Sequence, residues 1–267
     1  MSTESPCQAE MSREDVAVLR RAKDILEHPG LAAQLANVIG VPLEKAMKSL
    51  PQKWSAVIQR ATERSLMAAL EAAVASVETQ RRVPKRNGLH RVLVAGSGAV
   101  GGVFGLAALP LELPVSTMIM LRSIADIARS EGELLRTIDA KLACIQVFAL
   151  GGRSGSDDAS ESGYFAVRAG LAGAIAEAAK HFAARGGARE GAPAIVRLIA
   201  QIAARFGATV TQKAAAQAVP VVGAVGGATV NLIFIKHFQD IAWAHFTMRR
   251  LEREYGRELV ECAYHAA

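Results

Sequence analysis

What this chain has little of narrows it first. Aromatic residues make up only 5% of a sequence that is 51% hydrophobic, so Ala, Leu and Val carry the apolar content. A β-sandwich draws on β-branched and aromatic residues, whereas this mixture suits closely packed helices. The three cysteines, Cys7, Cys144 and Cys262, are odd in number, far apart and without C-x-x-C spacing. A disulfide or zinc framework is therefore not expected, and a reducing cytosol is. The opening MSTESPCQAEMSRED has no apolar core, which predicts no signal peptide. Acids are outnumbered 25 to 31 by Lys and Arg, giving a net charge of +6. That balance suits an anionic partner such as lipid headgroups, with a mildly basic soluble protein as the plainer reading.

What is present is organised around Ala218–Tyr255, a Gly-rich apolar run that passes into a long amphipathic helix. At 100° per residue from Val230, the side chains of Phe234, Phe238, Ile241, Met248 and Tyr255 share one apolar sector. Lys236, Gln239, Arg250 and Glu254 fall opposite. His237 and His245 sit within the apolar sector, and Asp240 flanks it. His237, Asp240 and His245 form a candidate polar cluster, expected to be structural. Neither H-E-x-x-H nor H-x-x-E-H spacing is present, so no metal is expected. The i, i+3 spacing pairs His237 with Asp240.

Elsewhere the helical period recurs. Residues 1–13 are expected to be disordered, and helices are expected at about 14–27, 31–39, 43–49, 52–79, 117–129, 133–149, 164–184 and 193–217. The whole is a single all-α bundle of about nine helices, spanning 14–256 and followed by a tail at 257–267. Two Gly-rich apolar helices are expected at its centre. Within it, Arg81, Arg82, Lys85, Arg86 and Arg91 form a basic linker (80–91) with no acid among them. This run is either a solvated loop or an anion contact. GGRSGSDDASESG (151–163) reads as a flexible loop. Tyr164 and Arg168, one turn apart, either fix the next helix through a partner carboxylate or form an ordinary surface pair.

Val92–Leu111 holds twenty uncharged residues and Ala214–Ile235 twenty-two, about the bilayer requirement. Both are Gly/Ala-rich, and the second contains Gln217 and Asn231, so burial in a core and membrane insertion both stay open. Gly98, Gly101, Gly102, Gly105, Gly223, Gly226 and Gly227 provide small-xxx-small spacings that let helices approach closely. GAVGG occurs at 98–102 and again at 223–227, and each copy precedes an amphipathic helix with Asp-Ile-Ala (126–128 and 240–242). The echo suggests two similar helices packed together.

RVLVAGSGAVGGVFG (91–105) contains G-x-G-x-x-G, which in a dinucleotide fold follows a strand and opens a helix. An NAD(P)-binding oxidoreductase using the GSGAVG loop at 96–101 is therefore the alternative reading. Its context is poor, since Met118 stands where a second strand should end in an acid. No helix-turn-helix or RNA-binding signature appears, and no nucleic acid is expected.

PVVGAVGGATVN with HFQDIAWAHFTMRRLEREYG resembles the C-terminal signature of the EcsC family, bacterial proteins first noticed beside an ABC transporter. HPGLAAQLANVIGVPLEKAMKSLP (28–51), GAVGGVFGLAALPLELPVSTMIMLRSIADIAR (98–129) and ESGYFAVR (161–168) are similar to that family too. The resemblance implies a mostly helical, cytoplasmic or membrane-associated accessory protein, with no catalytic residues to carry over. The expected function is thus non-enzymatic and without cofactor. It is exerted at the cytoplasmic face of the inner membrane, peripherally or partly inserted, on anionic lipid or a membrane complex.

Overall fold

The computed structural model describes Cys7 and residues 10–75, 105–152, 163–185, 192–219 and 223–267. Among these residues there are ten α-helices and no strand. They are α1 (Arg13–Glu27), α2 (Leu31–Ile39), α3 (Leu43–Lys48), α4 (Lys53–Ala75), α5 (Leu109–Ser130), α6 (Ile138–Leu150), α7 (Gly163–Arg185), α8 (Pro193–Gln217), α9 (Gly223–Tyr255) and α10 (Arg257–His265). A 3-10 turn, Gly105–Ala108, leads into α5.

Local chemistry accounts for most boundaries. The Ser12 hydroxyl caps α1 by accepting from the Asp15 N–H at 3.0 Å, and the Thr137 hydroxyl caps α6 by accepting from Ala140 N–H at 3.2 Å. Gly40 ends α2 in the left-handed region, at φ 69°. Three boundaries differ from the expectation, the first being α6, which opens at Ile138 rather than at about 133, behind its Thr137 cap. α5 starts at Leu109, eight residues before the expected Thr117. Pro110 lies in its first turn, where N–H groups have no intrahelical partner, and Pro114 loses only one bond near the start. The 257–267 tail is helical: Gly256, at φ 88°, turns the chain out of α9 and straight into α10.

α6 is the innermost element. Every residue from Ala140 to Leu150 is buried, so this helix has no solvent face at all. It is enclosed by α4, α5, α7, α8 and α9. α9 is the long spine that the periodicity predicts. Val230, Phe234, Phe238, Ile241 and Met248 are all fully buried, with Phe148, Phe206, Phe234 and Phe238 forming tilted and edge-on ring pairs.

α5 lies along α9. Gln239 donates to Ser123 at 2.6 Å, and farther along Arg250 pairs with Glu131 at 3.1 Å. Residue numbers rise together along both helices, so they run parallel and begin at the same end of the bundle. The two Asp-Ile-Ala helices thus pack directly, as their echo suggests. The copy of GAVGG at 98–102 lies outside the described residues.

Of the two apolar stretches, Val92–Leu111 lies mostly outside the described residues, and the other falls differently from the sequence expectation. Ala214–Ile235 is not one segment, because α8 ends at Gln217 and α9 begins only at Gly223. Among the described residues, the helices long and apolar enough to cross a bilayer, by length and composition, are Leu106–Ser130 and Pro193–Gln217, each with 44% of its most apolar window buried inside the protein.

Candidate functional site

Most of the polar chemistry of this core is strung along α9. At the end where α5 and α9 begin, Lys213 of α8 is completely buried and pairs with Glu112 of α5 at 2.7 Å. Lys213 also donates to Asn231 Oδ1 at 2.9 Å, and Gln217 Nε2 donates to the second Glu112 oxygen at 3.1 Å. The ammonium lies 4.8 Å from the Phe234 ring centre. Burial lowers the Lys213 pKa, and Glu112 works against that shift. Gln217 Oε1 and Asn231 Nδ2 are buried without a hydrogen-bond partner.

Around this buried charge the same end carries large apolar side chains in solvent. Leu111 and Val115, one turn apart on α5, are 80% and 47% exposed, and Leu232 on α9 is 58% exposed. Neighbouring Glu112 and Asn231 point inward. The end of the bundle is therefore apolar outside and charged within.

Nearly half way along α9, His237 Nε2–H donates to the Gly151 carbonyl at 2.8 Å. Arg205 donates to the Ala149 and Gly152 carbonyls at 3.1 and 3.0 Å, so the exposed carbonyls at the end of α6 are satisfied by side chains from α8 and α9. Asp240 does not join His237. It faces outward and pairs with Lys236 at 2.8 Å, because the i, i+4 Lys reaches it in solvent while His237 turns into the core. The expected His237–Asp240 hydrogen bond is therefore corrected.

His245 belongs to a different cluster, two turns farther on. Its Nδ1 lies 3.0 Å from the Tyr164 hydroxyl, which accepts from Arg168 at 3.2 Å; Arg168 in turn forms a two-pronged pair with Glu252. With the phenol oxygen accepting from Arg168, its O–H is free to donate to Nδ1. That arrangement makes His245 the neutral Nε2–H tautomer, and Nε2 is buried without a partner. Tyr164 and Arg168 therefore have the partner carboxylate that their one-turn spacing suggests. Burial raises the Tyr164 pKa well above its usual range, so the phenol stays protonated.

At the far end of α9, Arg249 and Arg253 hold Glu133 while Arg250 joins Glu131 and Asp15. Burial alone would raise the Glu133 carboxyl, but the two arginines keep it below the ordinary carboxylate range. Among the described residues no group of three His, Cys, Asp or Glu side chains is placed to hold a metal.

The two buried histidines give the fold a pH dependence. Burial lowers His237 to about 4, against weaker opposition from the Gly151 carbonyl and Asp240, and burial, then Arg168 and Arg249, hold His245 well below the ordinary histidine value. Depressed folded-state values mean that the unfolded chain binds protons first. Stability is then full above about pH 6.5 and falls as pH drops toward 4. Between pH 7.5 and 5.5 each histidine is expected to cost about 1.4 kcal/mol. Urea midpoints at the two pH values measure the loss, and His237→Gln should remove about half of it. A midpoint equal at both would show that the histidines are not held neutral.

Other sequence candidates fare unevenly. Arg81, Arg82, Lys85, Arg86 and Arg91, with Gly98, Gly101 and Gly102, lie outside the described residues. Gly105 opens the 3-10 turn, Gly223 opens α9, Gly226 is half-buried and Gly227 is buried. Close glycine contacts occur at Gly151 and Gly152, which the sequence reading places in a flexible loop. A Cβ on Gly152 would overlap the backbone carbonyl of Arg205, and one on Gly151 would overlap the Phe238 ring. Gly-Gly directly after the apolar Val147–Leu150 was the available signal. The oxidoreductase alternative fails downstream of its loop, because residues 105–130, which must supply the rest of a β-α-β unit, form the 3-10 turn and α5.

Ten helices and no strand among the described residues define an all-α protein. The model of the EcsC protein family matches residues 14–251, and the chain belongs to that family. Neither a curated protein nor a solved structure matches it.

Proposed function

We propose that this EcsC protein is a non-enzymatic accessory protein that docks by one end of its bundle on the cytoplasmic face of the inner membrane, directly on anionic lipid or beside a membrane complex. The observation that carries the reading is the outward set of Leu111, Val115 and Leu232 at the end where α5 and α9 begin. Large aliphatic side chains left in water at one end favour transfer into an apolar layer, at about 25 cal/mol per Å² removed from water. Arg81, Arg82, Lys85, Arg86 and Arg91 precede this end in the chain, and Lys or Arg near an anionic leaflet contributes about 1 kcal/mol each. The apolar length of α5 and α8 supports proximity to a bilayer, while their burial in the bundle favours docking over spanning. The buried polar groups on α9 bind one another and the backbone, which favours a structural role for them over a catalytic one.

Co-sedimentation with phospholipid vesicles tests this. The full-length protein is expected to pellet with anionic but not zwitterionic vesicles, and high salt should weaken the binding. Leu111→Glu with Leu232→Glu should reduce it at least tenfold while leaving the melting temperature unchanged. Equal and negligible pelleting with both vesicle types overturns the reading.

A further inference from the structure

Cys7 and Cys262 form a disulfide, with Cα atoms 6.0 Å apart across a sequence separation of 255 residues. This overturns the expectation of no disulfide, which rested on spacing alone. The chain ends meet because residues 10–15 dock on the end of α9. Ser12 N–H donates to the Tyr255 hydroxyl at 3.4 Å, and that hydroxyl donates to Asp15 at 2.7 Å. Cys7 thereby arrives beside α10, which starts directly after Tyr255 and Gly256.

We propose that this disulfide is a thiol-operated latch that holds α10 over the buried Tyr164–His245 cluster. α10 has nine residues, too few for a helix stable by itself, and is joined to α9 through a single glycine at positive φ. Its inward residues are Val260, Ala263 and Tyr264. The Tyr264 ring stands edge-on to Phe165 at 5.1 Å and lies 5.9 Å from Tyr164, whose hydroxyl meets His245. α10 therefore forms the roof over a buried polar cluster whose His245 Nε2 has no partner. Covalent attachment to the N-terminal arm gives this roof a second fixing point, and reduction leaves the Gly256 hinge and noncovalent contacts, among them Lys23 over the Tyr264 ring at 5.3 Å.

The other thiol does not compete. Cys144 is buried in α6, and burial, followed by the Glu133 charge, pushes it up to about 12. Cys262 is exposed and Cys7 half-buried at the surface, as exchange requires. Closure needs a small-molecule disulfide as oxidant. The Cys262 thiolate attacks one of its sulfurs and releases one thiol. The Cys7 thiolate then attacks the mixed disulfide at the Cys262 sulfur and releases the second. Two electrons pass to the oxidant, and a dithiol reductant reverses both steps.

The test compares full-length protein equilibrated with oxidised glutathione or with dithiothreitol. The oxidised form should be 2 Da lighter when denatured and show one titratable thiol. Backbone hydrogen exchange in Arg257–His265 and Gly163–Val167 should be at least tenfold faster in the reduced form. Cys7→Ser and Cys262→Ser should exchange like the reduced form in both buffers, and Cys144→Ser should still respond to reductant. Absence of the lighter species, or equal exchange in α10 with and without reductant, overturns the latch.

Discussion

Lys213→Met is expected to lower folding stability by about 3–5 kcal/mol, the usual cost of leaving one member of a buried ion pair behind. Lys213 has no exposed side-chain surface and Glu112 has 3%, so water cannot replace the lost ammonium. Glu112 would keep only the Gln217 amide, and Asn231 would lose the donor to its Oδ1. Thermal unfolding monitored by circular dichroism should show a fall of roughly 10 °C, at about 2–4 °C per kcal/mol for a chain of this size. Adding Glu112→Leu should recover part of the loss, because the charge goes while the Gln217 and Asn231 amides remain short of partners. A single variant that melts with the wild type would show that the pair is not dry, and with it the description of this end as charged within would fail.

Gly152→Ala is expected to cost nearly as much, although it adds one methyl group. The new Cβ would run into the carbonyl of Arg205, a backbone group inside α8 that no rotamer change can move. Relief requires α6 and α8 to separate, which overpacking penalties place at about 1–3 kcal/mol. Separation would also weaken the two Arg205 hydrogen bonds to the end of α6 and the contact of Thr209 with the Gly151 carbonyl, each worth about 1 kcal/mol or more. The total is roughly 3–5 kcal/mol, read as a drop in melting temperature. Gly170→Ala is the control, because Gly170 lies within α7 with open space around it and an alanine there should stabilise by about 0.5–1 kcal/mol. Equal melting of the Gly152 and Gly170 variants would show that α6 and α8 do not approach as described.

The legible part of this molecule was the part written in local period. Phe234, Phe238, Ile241 and Met248 recur at helical spacing, and their burial follows from that alone. Tyr164 and Arg168 signalled an anchor by their one-turn spacing. Gln217 and Asn231 were visible as polar exceptions in an apolar run, and Glu112 as the charge directly after another. What joins them was not visible, because Lys213 meets Glu112 across 101 positions and no local pattern encodes that meeting. The same limit hid the disulfide. Cysteine spacing reports on neighbours in sequence, whereas Cys7 reaches Cys262 only because Tyr255 and Asp15 bring the two ends of the chain together. Asp240 misled for a simpler reason: spacing offered it both His237 and Lys236, and the exposed lysine is the better partner in water. Gly152 misled because a glycine pair after an apolar run means a turn or a close contact equally often, and here it means both.

α6 has a cost that belongs to synthesis rather than to the finished fold. A helix buried on every side has no soluble form of its own, and three of the five helices that enclose it are encoded after it. As the chain is made from its N-terminus, Ala140–Leu150 emerges before α7, α8 and α9 exist, with only α4 and α5 available to cover it. Until the last of α9 is released, an eleven-residue segment, apolar but for Lys141 and Gln146, therefore remains partly open to wrong partners. The feature that ties the native bundle together is thus also the nascent chain's main exposure to aggregation, and the reason that a truncation before α9 should be rescued by a chaperone rather than by a change of buffer.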